Sequence, residues 1–289
     1  MNGPAFRGVI MKHFAALCSI AFLLCSCAGV HVQKPEVENV KKIAILSVSA
    51  SEDIKKLEDE EEEGNLKDAL VGVATSAAED NVKELGKGRE RLITHGADAL
   101  AETLGSFDGW TVIPFEEVTG NADVQKFFNP TGAEGVINKL SRLVPGSGWR
   151  YMTPAGMHEL PYEAVVSNET ALFGAKTDDQ EVREEVGKLC EALNVDAIAV
   201  AEYYFFYEEG GLLPTARATP VALVDVVLID KKGNKLLHTD HGWTQVKGKG
   251  NVMLVDKYVD LHSDPSVDAY INAIDKVMGE FKKAAKKKI

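Results

Sequence analysis

VDAIAVAEYYFFY, residues 195–207, and PVALVDVVLI, residues 220–229, are two runs rich in β-branched and aromatic residues. Such runs, bounded by turn formers, read as strands. Asp230-Lys231-Lys232-Gly233-Asn234 is a turn, and a further strand is expected over Lys235–Val246. The stretch from Val221 to Val246 is therefore a β-hairpin. The helical spacing around this pair sets the fold class. Asp178 or Asp179 is placed to cap a helix running to Leu193, with Val182, Val186, Leu189 and Leu193 on its inner face and Asn194 as its breaker. At the C-terminus, Asp264 is placed to cap and Pro265 suits a first turn. Val267, Tyr270, Ile271, Ile274, Val277, Met278 and Phe281 then recur at three and four, a stripe that must pack on a sheet. Lys282, Lys283 and Lys286–Lys288 complement the negative helix end.

Toward the N-terminus, Ile43–Val48 reads as a strand and Arg89–Leu104 as a helix. Trp110–Phe115 is expected to be the next strand. Leu66, Ala69, Leu70, Val73 and Ala77 follow helical spacing, and Glu58–Glu63 reads as a solvated acidic run that lacks the pattern of a calcium loop. From Gly120 to Thr177 the pattern weakens, with a short helix suggested by Val136, Leu140 and Leu143. The order predicts one α/β domain over residues 41–289: a mixed β-sheet flanked by helices, with a C-terminal hairpin followed by a long amphipathic helix and an irregular insertion at about 120–177.

The apolar run Phe14–Leu24 is about 11 residues long, suited to a signal-peptide core and too short to span a bilayer as a helix. Lys12 and His13 precede it, and Leu24-Cys25-Ser26-Cys27 ends it. This resembles the lipobox of exported bacterial lipoproteins, in which the cysteine becomes the lipidated first residue. The resemblance implies a signal peptide over residues 1–26, with Met11 as an alternative start. It also implies a covalent lipid on Cys27 and a lipidated tether over residues 27–40. The tether, about 13 residues, reaches at most about 45 Å. Ala28 in place of Asp after the cysteine implies, by the same resemblance, the periplasmic face of the outer membrane in a Gram-negative cell.

Removing residues 1–26 takes Arg7 and Lys12 and no acid, leaving 30 of 32 basic residues against 44 acidic ones. That acidic balance excludes general nucleic-acid affinity and favours solubility. Of four cysteines, Cys18 and Cys25 leave with the signal and Cys27 carries lipid, so Cys190 is alone and a disulfide framework is excluded. Between Leu189 and Leu193, Cys190 is expected to be a buried small hydrophobe.

KKIAILSVSA (41–50), LCEALNVDAIAVAEYYFF (189–206) and PVALVDVVLIDKKGNKLLHTDHGW (220–243) carry a further resemblance. Together with the signal ending in Cys27, they resemble lipoproteins with a TolB N-terminal-like α/β domain, the group that includes CsgG and LpoB. The likeness covers the first strand and Asp178–Phe281 and leaves the middle uncovered. It implies binding and scaffolding, not catalysis. Two departures restrict it. Residues 120–177 lack the alternating strand pairs of a curli-type pore and carry Arg142, Arg150, Glu159, Glu163 and Glu169. The short tether also does not suit an activator that reaches across the cell wall.

Four constellations bear on chemistry. His238-Thr239-Asp240-His241 is the best metal candidate, with His262 and Asp264 as possible additions. On a strand, however, His238 and His241 point to opposite faces, so a polar strand end is the expectation and no metal site is assigned. Glu202 and Asp225 sit inside apolar strands, where each either faces solvent at a sheet edge or forms a buried site; a single acid per strand favours the exposed face. Ser147 lacks the Gly-x-Ser-x-Gly spacing of a nucleophile elbow. Tyr203, Tyr204, Phe206 and Tyr207 form an aromatic run whose outward rings are candidate partner contacts. The sequence thus predicts a non-enzymatic envelope lipoprotein, a binding, assembly or scaffolding factor near its anchoring membrane. It has no cofactor beyond the lipid on Cys27, and its candidate partners are the membrane, an unknown envelope protein and further copies of itself. The alternative is an envelope hydrolase with a site built around residues 120–177.

Overall fold

The two apolar runs form the longest strands of the computed structural model, which describes residues 29–51, 54–57, 86–129, 151–166, 171–172, 175–176, 179–209, 217–255 and 258–289. In chain order the principal strands are β1 (Val30–Val32), β2 (Lys42–Ser51), β3 (Thr111–Val112), β4 (Ala197–Glu209), β5 (Arg217–Asp230) and β6 (Lys235–Thr239). The long helices are α1 (Gly86–Gly105), α2 (Asp179–Leu193) and α3 (Asp264–Lys286). Across the sheet the order is β1-β6-β5-β4-β2-β3. β2 is parallel to both β3 and β4, whereas β4, β5, β6 and β1 pair antiparallel in turn. The fold is α/β, with a mixed sheet between helices and α3 at the C-terminus.

Both faces of β4 and β5 are covered, which explains their near-continuous apolar sequence. One face carries Ala197, Ala199, Ala201, Tyr203 and Phe205 against α1 and α3. On the other, Ile198 and Val200 meet α2 through Val186 and Leu189, with Leu160, Tyr162 and Val165 in the same cluster. The α3 stripe is buried as its spacing predicts: Val267, Tyr270, Ile274, Val277, Met278 and Phe281 are at most 2% exposed. Asn194 ends α2 in a left-handed conformation, at φ 50°. Among the described residues, no helix is long and apolar enough to cross a membrane.

Several expectations change. The strand foreseen over Trp110–Phe115 is confined to Thr111–Val112, because Pro114 starts a short helix at Phe115. The strand foreseen over Lys235–Val246 stops at Thr239, and the chain turns at Asp240–Trp243. Val246–Lys247 and Val252–Val255 then pair with the first half of β5, so two successive partners share that long strand. The N-cap of α3 is Ser263 and Asp264 is its first residue. From Gly29 onward, the expected tether of residues 27–40 belongs to the fold. Val30–Val32 adds an edge strand to β6, and Val30, Val37 and Val40 are buried because the sheet edge and its flanking helix offer them an apolar surface. The acidic run at 58–63, the helix at 66–77, the short helix at 136–143, Ser147 and Cys27 lie outside the described residues.

Gly96 shows how closely α1 rides on β4. A Cβ there would lie 2.9 Å from the Tyr203 ring, whose hydroxyl donates to the Gly96 carbonyl at 2.8 Å. Replacing Gly96 by Ala gains about 1 kcal/mol of helix propensity but overpacks this contact by about 1–3 kcal/mol. Gly96→Ala is therefore expected to be net destabilising in urea unfolding; a stabilised variant would contradict the packing.

Candidate functional site

Strand alternation puts Glu202 on the same face as Ile198, Val200, Tyr204 and Phe206, and Asp225 on that of Leu223 and Val227. The antiparallel register then sets Glu202 directly opposite Asp225. Both are buried, at 2% and 0% exposure, so the expectation of an outward face is wrong for each. That expectation treated each strand as one-sided, whereas this face is covered by α2 and residues 160–166. Like charges directly opposite on neighbouring strands repel, so the pair persists only through its partners.

Those partners come from separate parts of the chain. Glu202 accepts the Tyr162 backbone N–H at 3.0 Å. His241 Nδ1–H donates to Asp225 at 2.5 Å, and Thr239 Oγ1 lies 3.4 Å from the other Asp225 oxygen. Thr239 Oγ1 in turn accepts the Val226 N–H at 3.0 Å, and the Tyr162 hydroxyl donates to the Thr239 carbonyl. Burial pushes the Glu202 carboxyl up from 4.5 to about 7, with the Tyr162 N–H opposing the rise and Asp225 adding to it. Burial also raises Asp225, although the His241 bond and charge pull the other way. His241 rises because its bond to Asp225 and the surrounding carboxylates outweigh the burial that would lower it.

A second cluster lies on the outer side of β6. His31 on β1 is the register partner of His238, and their rings stack at 4.8 Å. His31 Nε2 is 2.9 Å from Asp240 Oδ1, while Asp240 Oδ2 accepts the Gly29 N–H at 2.9 Å. Burial, Lys235 and His31 together push His238 down to about 4. The cluster borders a cleft of about 380 Å³ lined by His31, Gln33, Arg183, Lys232, Lys235 and His238.

Successive side chains of His238-Thr239-Asp240-His241 are thus divided between two places, Thr239 and His241 to Asp225, His238 and Asp240 to His31. The alternation argument against a four-residue chelate holds. What it omits is His31, which only the pairing of β1 with β6 brings in, and His262 and Asp264 are not in the cluster. Tyr162 was also unforeseen, because it comes from the weakly patterned stretch. The aromatic candidates for partner contact are corrected: Tyr203, Tyr204, Phe206 and Tyr207 are all 6% exposed or less. Tyr203 bonds Gly96, and Phe206 supplies a carbonyl to the Tyr270 hydroxyl at 2.9 Å. Their rings are enclosed among the chain's own layers. Cys190 is buried as expected, with burial pushing its thiol up to about 12.

Chemically, the inner cluster holds two acids and a histidine whose polar atoms face one another, and only His241 has appreciable exposure, at 20%. The two acids are enclosed within the sheet layer, and the histidine alone reaches toward solvent. No family model, curated protein or solved structure matches the chain.

Two outcomes follow from the burial. Below pH 4.5 the Glu202 carboxyl is protonated in folded and unfolded chains alike and carries no penalty. As pH rises, the unfolded chain ionises first, and above about 7 the folded chain bears the full cost, about 3 kcal/mol. Glu202→Gln keeps an acceptor for the Tyr162 N–H and should match the parent near pH 4 but exceed it in urea unfolding at pH 8.5. Parallel pH profiles would refute this. His241→Ala leaves Asp225 buried without its ionic partner and should cost about 3 kcal/mol at pH 7.5. His238→Ala should cost under about 1 kcal/mol, as for a partly exposed surface group; equal losses would contradict the assignment of His241 to Asp225.

Proposed function

We propose that the chain is a lipid-anchored, non-enzymatic envelope protein that binds or assembles partners at the surface of its own membrane. The observation that carries this reading is that Gly29, only two residues beyond Cys27, already belongs to the fold. With Cys27 lipidated, two residue steps span about 7 Å, in place of the 45 Å of a free tether. The Gly29 N–H is held by Asp240, so the exit point is fixed at the β1–β6 edge. That edge then faces the lipid headgroups, and the remainder of the domain is presented to a neighbour within the same membrane layer. The short reach agrees with a partner beside the anchor and weakens the analogy to a wall-spanning activator.

The non-enzymatic part rests on the inner cluster. Its acids are enclosed and engaged with each other's neighbours, an arrangement that suits fold maintenance better than turnover. A hydrolase built around residues 120–177 would need those residues to frame an open site. Residues 151–166 instead lie on the sheet, with Met157, Leu160, Tyr162 and Val165 buried. Residues 130–150, 167–170, 173–174 and 177 lie outside the described residues.

Replacing Cys27 by Ala is expected to abolish acyl-label incorporation and to release the chain from the membrane fraction; unchanged labelling would end the anchor assignment. Crosslinking of the wild-type chain in whole cells should trap a discrete envelope protein or a defined oligomer. Recovery of free monomer alone would count against a binding role.

A further inference from the structure

We propose that His31, His238 and Asp240 form a binding site for a divalent transition-metal ion of the zinc class, clasping β1 to β6. Two imidazoles and one carboxylate are a donor set that suits zinc and its neighbours, and it suits magnesium or calcium poorly. The three residues are brought together by backbone pairing, not by chance surface proximity. His31 faces His238 across the β1–β6 ladder, and Asp240 follows His238 by two positions. One ligand atom from each residue lies within 4.8 Å of the others. Around a tetrahedral ion with bonds of 2.0–2.1 Å, such atoms are about 3.4 Å apart. Closing that gap takes side-chain rotations of about 1 Å, and His31 and Asp240 are 47% and 42% exposed, with room to make them.

Two details favour an ion over a plain hydrogen-bonded cluster. His31 Nε2 and Asp240 Oδ1 already face one another at 2.9 Å, so an ion would take the place of the proton between them. Asp240 is oriented through its second oxygen by the Gly29 N–H, the kind of outer contact that sets a metal-binding carboxylate in direction. His31 and His238 border the cleft that Gln33 and Arg183 also line, a source of water or a small anion to complete the sphere. The ion would fasten the first strand of the fold to its neighbour and so raise stability with the logarithm of its free concentration. This inference stands independently of lipidation at Cys27.

The test uses the full chain in detergent micelles, with accessible thiols blocked by N-ethylmaleimide and metal first removed by EDTA. Zinc chloride titrated by calorimetry at pH 7.5 should show one saturable equivalent, and cobalt substitution should give the visible absorption of a tetrahedral site. His31→Ala, His238→Ala and Asp240→Asn should each weaken binding at least about tenfold. His262→Ala, which removes an exposed histidine outside the cluster, should leave it unchanged. Circular dichroism of each variant separates lost binding from lost folding. Absence of saturable binding, or wild-type affinity retained by folded His31→Ala or His238→Ala, would overturn the site.

Discussion

The antiparallel register of β4 and β5 is the constraint on which the remainder depends. Thirteen pairs, from Ala197 opposite Asp230 to Glu209 opposite Ala218, fix which side chains share a face. A slip of β4 by one residue would turn Glu202 toward α1 and α3, away from Asp225, and turn the alanines that admit those helices to the opposite side. The register therefore decides helix packing and the placement of two buried acids at once. Because the acids fall opposite each other, the fold requires a group that neutralises one of them. His241 supplies it, and residues 160–162 close the site from above. A stretch with little sequence pattern is thus held in place by polar contacts to the strongest strand pair in the chain.

β6 and the segment after it transmit this constraint to the N-terminus. The strand stops at Thr239 because Thr239 and His241 are drawn to Asp225, and the chain must then turn. Asp240, left on the outer side, holds the Gly29 N–H and faces His31. The first strand is accordingly placed by residues more than 200 positions away in sequence. If lipid is attached at Cys27, the attachment point and the inner acid pair are joined through four consecutive residues, His238 to His241.

Much of the architecture was legible because its signals are local. The α2 and α3 stripes, the turn at Asp230–Asn234 and the two central strands all follow from periodicity within single segments. The acid pair was not, although β4 and β5 each hold one acid flanked at two-residue spacing by large apolar side chains. That pattern marks an enclosed acid only once the face is known to be covered, and the cover comes from residues with weak periodicity. β1 escaped for a different reason. Three residues, Val30–Val32, carry too little alternation to register as a strand, and Pro35 made the segment look like a linker. The aromatic run misled because aromatic residues serve interfaces and cores alike, and a sheet buried on both sides leaves no outward face.

These elements combine into a domain whose β1–β6 edge would lie at the proposed lipid anchor and whose opposite edge, at β3, is about 24 Å away at five strand spacings. The account's central claim is that orientation, and it can be measured with spin labels on the lipidated chain in vesicles doped with a paramagnetic nickel lipid. Gln245, exposed and five residues past Asp240, reports the near side, and the exposed Asp108, beside β3, reports the far side. Stronger relaxation enhancement at Gln245 than at Asp108 is the predicted result. Equal enhancement, or a stronger effect at Asp108, would contradict a domain held by its β1–β6 edge against the membrane.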